Sequence, residues 1–515
     1  MSFRPLLALI AAVVGVALVA YHGVVDFGFV RDDFIWLLDV GPQVEDPLTI
    51  LTHRPNNFFR PLANGLFALE YASFGLEPMA YHVVNLALHV WSAVWLGVLT
   101  RRLGGTWAPG FVAALLFVGL TRTTEAVTWI SSLVSLLVPA TLLPTLVAFD
   151  RRLETSERRF AILTGFGVVA CLCSKESGVV VVPLLGLLAL HRGGPRAWRA
   201  RATWTELAPA LALLAGYVAM QLSFLSDNTN RMELGAFDFV QGWLAGTVVH
   251  LPALVAPGWS GPIIEPRHGW IGLAVFVAAM SFILMTTQRR ALRPSGLLCL
   301  TLLIMFAPFI PFLAVRFPLA DRYLYLPSLV GCLALGLAFH VLRTAWPKAR
   351  HVTLAAAVVT IIGGAWATRA AVQASPTLEE GRGTAAVGRW FQNHVAGADA
   401  APGERWLLAG FPTRNSRFLA AHAAVFGGVK VDAIERLEVL PAELVPTGGD
   451  GTTIDAQGVL ERFDCDHIFA LGSDGAVVAI DPSSRGADKR LARALGLRWR
   501  LTRQPAMLPL CVLRF

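Results

Sequence analysis

Apolar runs, each close to the length of a membrane-crossing helix, recur along residues 1–375 and constrain the fold more than any other feature of the sequence. A helix needs about 20 apolar residues to cross the hydrocarbon core of a bilayer. We predict eleven such helices, near residues 5–25, 81–100, 107–121, 127–149, 160–174, 177–190, 206–225, 269–287, 295–316, 322–342 and 351–373. The composition agrees, because only 15% of the 515 residues are charged, against about 25% in a soluble domain. The predicted fold class is therefore a polytopic α-helical membrane protein.

Basic residues between the predicted spans indicate the orientation, since Lys and Arg mark cytoplasmic loops. The five basic clusters are Arg101–Arg102; Arg151, Arg152, Arg158 and Arg159; Arg192, Arg196, Arg199 and Arg201; Arg289, Arg290 and Arg293; and Arg343, Lys348 and Arg350. With eleven spans and a cytoplasmic N-terminus, all five fall on one side. This count requires residues 236–256 to be re-entrant or interfacial rather than spanning. The net charge of +8 then reflects topology, and nucleic acid is not expected as a partner.

The composition changes after the last predicted span. We predict a transmembrane domain over residues 1–374, with a long first extracytoplasmic loop at 26–80, then a linker at 375–400 and a small α/β domain at 401–515. Strands are expected near 406–408, 467–471 and 476–480, and helices near 417–426 and 484–496, from the periodicity of the apolar residues. Cys465 and Cys511 could pair only if this domain is extracytoplasmic.

Two adjacent acids, Asp32 and Asp33, follow the first span. Such a pair can act as a general base or bind a hard metal ion, or it can simply belong to a solvated acidic loop. A second polar group lies on the second span, where His82, Asn85 and His89 recur at helical spacing and share one face. These three side chains either meet other polar groups, as substrate-binding residues would, or are satisfied inside the core. The two histidines, seven residues apart, do not form a standard metal pair.

Further charged residues lie at the same predicted membrane face, and ionisable groups beside spans suggest function. They are Arg60, Arg122, Glu125, Lys175, Glu176, Asp321 and Arg322, with Tyr323 next to the last of them. Arg and Lys suit phosphate recognition, although Lys175 and Arg322 could equally form structural ion pairs. Cations for a lipid phosphate together with a carboxylate for an acceptor hydroxyl are typical of glycosyl transfer from a lipid-linked sugar.

The order of these motifs resembles the GT-C superfamily of integral-membrane glycosyltransferases. The similarity is greatest to protein O-mannosyltransferases, especially the transmembrane, TPR-bearing members and their bacterial homologues. The matching motifs, within residues 1–345, are Asp32-Asp33, Phe59-Arg60-Pro61-Leu62, Phe74-Gly75-Leu76-Glu77-Pro78 leading into Tyr81-His82-Val83-Val84-Asn85-Leu86-Ala87-Leu88-His89, Thr124-Glu125-Ala126-Val127-Thr128-Trp129-Ile130, Ser174-Lys175-Glu176-Ser177 and Asp321-Arg322-Tyr323-Leu324-Tyr325-Leu326-Pro327-Ser328.

The resemblance implies a polyprenyl-phosphate sugar as donor, with mannose as the family-weighted sugar, and an inverting single displacement. It implies that Asp32 and Asp33 supply the base, with Asp33 favoured. Glu125 then matches the acid of the second loop, while Lys175, Arg322 and Arg60 contact the phosphate. Metal dependence stays open, and the candidate ligands for a divalent metal are Asp32, Asp33 and Glu125. The acceptor could be a protein, a glycan or a lipid, and membrane lipid surrounds the chain.

The chain also departs from the family pattern. Relatives carry a His-Pro pair where Thr121 and Arg122 stand here, and a charged pair where Ser131 and Ser132 stand, so roles tied to those positions do not transfer. No TPR array follows the membrane region. Abundant Ala, Gly and Arg with scarce Lys indicates a bacterial inner membrane, with the site and the C-terminal domain facing the periplasm. Two other classes stay open: a transporter or flippase, which typically shows an internal repeat not visible here, and an inactive scaffold.

Overall fold

The structure, a computed structural model, describes residues 3–53, 58–193, 199–225 and 321–375, and in the C-terminal region residues 378, 404–411, 425, 434–441, 460–461, 465–471, 477–495 and 512–514. The described residues belong to two compact units. One comprises Met1–Val25 and Asp46–Ala374, and the other comprises Asp26–Glu45 and Ser375–Phe515.

The first unit is helical. Its helices are α1 Phe3–Ala20, α3 Pro61–Phe74, α4 Pro78–Gly104, α5 Trp107–Val118, α6 Thr124–Thr128, α7 Leu133–Thr155, α8 Arg158–Ser174, α9 Val181–Gly193, α10 Arg201–Leu225, α11 Tyr325–Ala345 and α12 Arg350–Gln373. Helix α4 packs against α5 and α7, α8 packs against α7, and α11 packs against α5.

Six described helical segments are long and apolar enough to cross a membrane, and the bent pair α5 and α6 raises the number to seven. The six are Phe3–Ala20, Pro78–Gly104, Ile130–Thr155, Glu176–Gly193, Asp321–Thr344 and Pro347–Gln373. Helices α8 and α10 coincide with two further predicted spans. The predicted spans at 269–287 and 295–316, and the re-entrant segment 236–256, lie outside the described residues. The chain is a polytopic helical membrane protein, and the count of eleven spans stays a prediction.

Ion pairs bring three of the predicted basic clusters to one end of the bundle. Asp150, at the C-terminal end of α7, binds Arg102 of α4 and Arg192 of α9. Arg152 of α7 pairs with Glu206 at the start of α10, with 2.7 Å between Nη2 and Oε1. We call this set the arginine end. The structure thus agrees with the prediction that these clusters share one side.

Glycine lets α5 and α11 approach closely. A Cβ atom added to Gly336 of α11 would lie 2.6 Å from the carbonyl oxygen of Pro109 and 2.9 Å from the Ala113 Cβ of α5. Backbone contact of this kind is common between membrane helices, because small residues permit dense packing where water supplies no hydrophobic driving force.

We therefore expect Gly336→Val to destabilise the folded chain by about 1–3 kcal/mol through overpacking. Gly15→Val is the matched control, because a Cβ on Gly15 of α1 meets nothing within 4 Å. Thermal unfolding in detergent measures both variants. Equal melting temperatures for the two would show that α5 and α11 do not pack as described.

The second unit contains α2 Asp32–Glu45 and a five-stranded sheet in the order β4-β3-β1-β2-β5. The strands are β1 Glu404–Phe411, β2 Ile434–Pro441, β3 His467–Leu471, β4 Val477–Ile480 and β5 Val512–Arg514, and α13 spans Ala487–Leu495. Strand β1 pairs in parallel with β2 and β3, whereas β4 and β5 are antiparallel to their neighbours. The core residues are Leu407, Ala409, Ile468, Ala470, Ile480, Ala487 and Leu491.

The three predicted strands and the helix near 484–496 are present, while β2 and β5 were not predicted. All but one residue of the helix expected at 417–426, and Cys511 with its possible pairing, lie outside the described residues. The predicted first loop, 26–80, is largely helical, because it contains α2 and α3.

Candidate active site

Four breaks between helices bring charged side chains together at the end of the bundle opposite the arginine end. Arg60 precedes α3, whose first residue is Pro61, and Glu125 lies on α6, which is bent by 53° from α5. Lys175 is an extended residue between α8 and a 3-10 turn, and Arg322 lies in the turn Asp321–Leu324 before α11. We call the seven residues the ion cluster: Arg60, Arg122, Glu125, Lys175, Glu176, Asp321 and Arg322. Ser135 and Asp150 both lie on α7, so the two ends are about 22 Å apart at 1.5 Å per residue.

Arg60 binds Glu176 through two parallel hydrogen bonds. Arg60 Nε donates to Oε1 at 2.7 Å and Nη2 donates to Oε2 at 2.8 Å. The guanidinium also stacks on Phe58, 4.5 Å from the ring centroid. A bidentate pair of this kind is geometrically specific, so it ties the start of α3 to the segment between α8 and α9.

Arg322 binds Glu125 in a similar way, with one contact from the backbone. Its Nη1 donates to Oε1 at 2.6 Å and its backbone N–H donates to Oε2 at 3.0 Å. The guanidinium lies 4.5 Å from the Trp129 ring centroid and 4.8 Å from that of Tyr323. Cation–π contact with two rings and a carboxylate on the remaining edge fix the plane of Arg322.

Arg122 and Asp321 form the third pair, with 2.7 Å between Nη1 and Oδ1. The Arg122 side chain is only 5% exposed. This pair joins the same two segments as Glu125 and Arg322, so two ion pairs tie the α5–α7 connection to the start of α11.

Lys175 differs from the three arginines. Among the described residues its hydrogen bond goes to a neutral group, Ser135 Oγ, at 3.0 Å, and it contacts no carboxylate. Its ammonium also lies 5.6 Å from the Tyr323 ring centroid. The pKa of Lys175 is lowered to about 8, first by burial and then by the charges of Arg60 and Arg322, while the Glu176 carboxylate opposes the shift. The charges of Arg60, Glu176 and Arg322 therefore act on Lys175.

The acid pair begins α2, in the other unit. Asp33 is fully buried, and its Oδ2 accepts the Val30 N–H at 2.8 Å, whereas Asp32 is partly exposed. Between them and Val30, Arg31 adopts a left-handed φ of 51°, a conformation that costs a non-glycine residue about 1–2 kcal/mol. Asp33 is therefore held in one orientation by its own turn. Its approach to the ion cluster stays a prediction.

The polar face of α4 is confirmed as a buried stripe, since His82, Asn85 and His89 are at most 1% exposed. Asn85 Nδ2 donates to the carbonyls of Trp129 and Ile130 at 3.1 and 3.4 Å. The two ring nitrogens of His89 bond Tyr325 Oη at 2.8 Å and the Val118 carbonyl at 3.3 Å. Asn85 and His89 thus bind the protein itself.

The predicted metal ligands include Glu125, and its contacts test that role. Both of its carboxylate oxygens accept hydrogen bonds from Arg322, so Glu125 as placed does not fit a metal ligand. The described residues contain no group of three or more His, Cys, Asp or Glu arranged to hold a metal ion.

Two residues of the site carry no charge and were not predicted. Ser135 holds Lys175, and Trp129 stacks on Arg322. Trp129 lies four residues after Glu125, directly after the short helix α6. An aromatic residue at the end of so short a helix is a sequence signal that could have indicated Trp129. Ser135 lies in an apolar run and gives no comparable signal.

No family model matches the chain. Protein O-mannosyl-transferase Tmtc3 of Drosophila melanogaster is 25% identical over 392 residues, which are 59% of this chain and 42% of that protein. Protein O-mannosyl-transferase TMTC2 of Mus musculus is 35% identical over 146 residues, or 26% of this chain and 17% of the relative. The sequence relatives of this chain are protein O-mannosyltransferases. The similarity to protein O-mannosyltransferases drawn from the motifs is thereby confirmed. The matches span less than half the length of these relatives.

Two solved structures are similar at low identity. The oligosaccharyltransferase of Archaeoglobus fulgidus has a TM-score of 0.49 at 12% identity and covers 91% of this chain and 69% of its own. ArnT of Cupriavidus metallidurans has a TM-score of 0.49 at 14% identity and covers 81% of this chain and 84% of its own.

Proposed function

We propose that this chain is a membrane glycosyltransferase that moves a sugar from a polyprenyl-phosphate donor to an acceptor hydroxyl. One observation carries the proposal. At one end of a bundle of apolar helices, the charges of Arg60 and Arg322 act on Lys175, and among the described residues its hydrogen-bond partner is the neutral Ser135. Among the described residues no carboxylate forms an ion pair with this partly buried cation, which favours an anionic ligand, because removing an uncompensated charge from water is costly.

The charges of the ion cluster support a singly charged ligand. Its three arginines are each paired with a carboxylate, Glu176, Glu125 or Asp321. These pairs are neutral overall, so Lys175 leaves a surplus of one positive charge. A phosphodiester that links a sugar to a lipid carries one negative charge, and its oxygens suit charge-assisted hydrogen bonds from Lys and Arg.

The position of the ion cluster supports a lipid-linked donor. Lys175 and Glu176, and likewise Asp321 and Arg322, lie at the start of helical segments long and apolar enough to span a membrane. A polyprenyl tail could lie against those helices in the bilayer while its phosphate meets Lys175. A water-soluble nucleotide sugar has no need of such an arrangement.

The proposed chemistry is a single inverting displacement. Asp33, with Asp32 beside it, takes the proton of the acceptor hydroxyl as general base. The acceptor oxygen forms a bond to the anomeric carbon, the bond from that carbon to the phosphate oxygen breaks, and polyprenyl phosphate leaves with the electron pair. Lys175, assisted by Arg322 and Arg60, stabilises the charge that develops on the phosphate. The relatives are named O-mannosyltransferases, which supports mannose as the sugar and a protein hydroxyl as the first acceptor to test.

The finer topology belongs to the same proposal. We place the ion cluster and a C-terminal domain, residues 401–515 after a linker at 375–400, on the periplasmic side of a bacterial inner membrane. The arginine end then faces the cytoplasm, as the positive-inside rule requires.

The test is transfer by the purified full-length chain in detergent or liposomes. We expect radiolabelled mannose to move from polyprenyl-phosphate mannose to an acceptor, and no transfer from a nucleotide sugar. Lys175→Met should raise the KM for the donor roughly 10–100-fold, because a charge-assisted hydrogen bond is lost. Lys348→Met is the matched control, since Lys348 is exposed and lies on the far side of the bundle in the predicted topology.

The pH dependence checks the same group. The pKa of Lys175 lies near 8, so its charged form is present below that pH and is lost as the pH rises through it. kcat/KM for the donor reports the free enzyme and should fall above about pH 8, a limb that Lys175→Met should lack. Failure of the wild type with every lipid-linked sugar would instead favour a transporter or an inactive scaffold.

A further inference from the structure

The polar stripe on α4 contacts two of the four segments that carry the ion cluster, the α5–α7 connection and the start of α11. Asn85 reaches the turn that follows α6, and His89 reaches the end of α5 and the start of α11. Both side chains are buried, at 1% and 0% exposure. A stripe predicted to bind substrate is therefore engaged with the backbone and side chains that frame the site.

Asn85 adds a side-chain donor to the turn after α6. Trp129 is extended, with φ −100° and ψ 118°, so the helical hydrogen-bond ladder is interrupted between α6 and α7. The Ile130 carbonyl already accepts the Leu133 N–H. Water is scarce in the membrane region and an unsatisfied polar group is costly there, so the buried Asn85 amide itself needs acceptors. The Trp129 carbonyl accepts from the Ser132 N–H and from Asn85, and the Ile130 carbonyl also faces Asn85.

Asn85 thereby fixes the residue whose ring supports Arg322. Trp129 presents its backbone carbonyl to Asn85 and its indole face to the Arg322 guanidinium, 4.5 Å away. Glu125, four residues earlier, accepts the Trp129 N–H through its carbonyl and binds Arg322 through its carboxylate. The chain of contacts runs from Asn85 through Trp129 to Arg322.

We infer that Asn85 is a positioning residue that sets the orientation of Arg322 through Trp129, with His89 doing the same for the start of α11. This inference rests on the proposed function, in which Arg322 contacts the donor phosphate. Asn85 touches neither donor nor acceptor in this view, in contrast to the substrate-binding role predicted from the sequence.

His89 connects the end of α5 to the start of α11, and its hydrogen bonds define its tautomer. The Val118 carbonyl can only accept, so Nε2 of His89 carries the proton, and Nδ1 accepts from the Tyr325 hydroxyl. Val118 ends α5, before Glu125, and Tyr325 begins α11, three residues after Arg322. The neutral imidazole thus bridges the two segments that the Glu125–Arg322 ion pair also joins.

The experiment compares Asn85→Leu with Asn85→Gln and with Trp91→Phe. Asn85→Leu removes the donor at similar volume, and Asn85→Gln keeps an amide donor. Trp91→Phe removes a different side-chain hydrogen bond of α4, the 2.9 Å bond from Trp91 to the Ala140 carbonyl of α7. We expect Asn85→Leu to raise the donor KM about tenfold. Losing the bond from Asn85 should weaken the contact of Arg322 with the donor by about the free energy of one hydrogen bond. Asn85→Gln should lie closer to the wild type, and Trp91→Phe should leave the KM unchanged in the folded fraction.

A double-mutant cycle separates positioning from folding. If Asn85 acts through Trp129, the KM effect of Asn85→Leu should vanish in a Trp129→Leu background. A donor KM that Asn85→Leu leaves unchanged, with only the folded yield reduced, would overturn the inference while the proposed function stands. If the wild type uses no lipid-linked sugar, the proposed function fails. The double-mutant cycle is then carried out with the melting temperatures of the wild type, the two single variants and the double variant. Coupling between Asn85 and Trp129 there would support the contact chain, and additive effects would overturn it.

Discussion

Asp33→Asn is expected to slow sugar transfer by about 10²–10⁴-fold with little change in the donor KM, since general-base catalysis contributes a factor of that size. The substitution is well suited to the site. Asp33 Oδ2 accepts the Val30 N–H, and the side-chain oxygen of Asn can accept the same bond, so the start of α2 keeps its geometry. What is lost is the ability to take a proton from the acceptor.

Three companion variants make this result interpretable. Asp46→Asn is the matched control, because Asp46 also accepts a backbone N–H at the start of a turn, from Leu48 at 3.1 Å, and has no assigned catalytic role. Asp32→Asn should reduce transfer less, because Asp33 is the favoured base of the pair, and Asp33→Glu should retain part of the rate. Unchanged transfer in Asp33→Asn, Asp32→Asn and the double variant would remove the acid pair from the mechanism.

The membrane helices were predictable because lipid imposes a simple rule on the sequence. Every helix that crosses the bilayer needs a long apolar run, and α4, α7 and α12 each coincide with one. Helices α2 and α3 were missed, since they are short, lie between spans and mix polar with apolar residues. Strand β2 was missed for a related reason: charged residues at Glu435, Arg436 and Glu438 interrupt its apolar pattern, and its pairing with β1 is a tertiary property.

The site was predictable as a set of residues and not as a set of contacts. Scarce charges beside apolar runs singled out Arg60, Lys175 and Arg322. The sequence did not show that Glu176, next to Lys175, would pair with Arg60, 116 residues earlier. Nor did periodicity show whether a buried Asn or His faces substrate or backbone, because both uses place the residue on the same helix face. Asn85 illustrates this, since its partners are the carbonyls of a helix break 44 residues later.

The second large effect is expected far from the ion cluster, at Asp150 of the arginine end. The Asp150 side chain is fully buried and is shared by two arginines, since Oδ1 and Oδ2 accept from Arg192 at 2.6 and 2.7 Å and Oδ2 also accepts from Arg102. These contacts join α4, α7 and α9 at one point. Removing the charge from a buried ionic network leaves cations without compensation, which typically costs about 3–5 kcal/mol.

Asp150→Asn is therefore expected to destabilise the folded chain by about that amount, measured by denaturant unfolding in mixed micelles. Glu154→Gln provides the matched control, because Glu154 binds the same Arg102 at 2.7 Å but is 49% exposed, and exposed pairs contribute only about 0–1 kcal/mol. The donor KM of the folded fraction should not change in either variant, since Lys175 lies at the other end of the bundle. Similar stability losses for both variants would mean that water reaches Asp150, and that burial does not set the strength of this network.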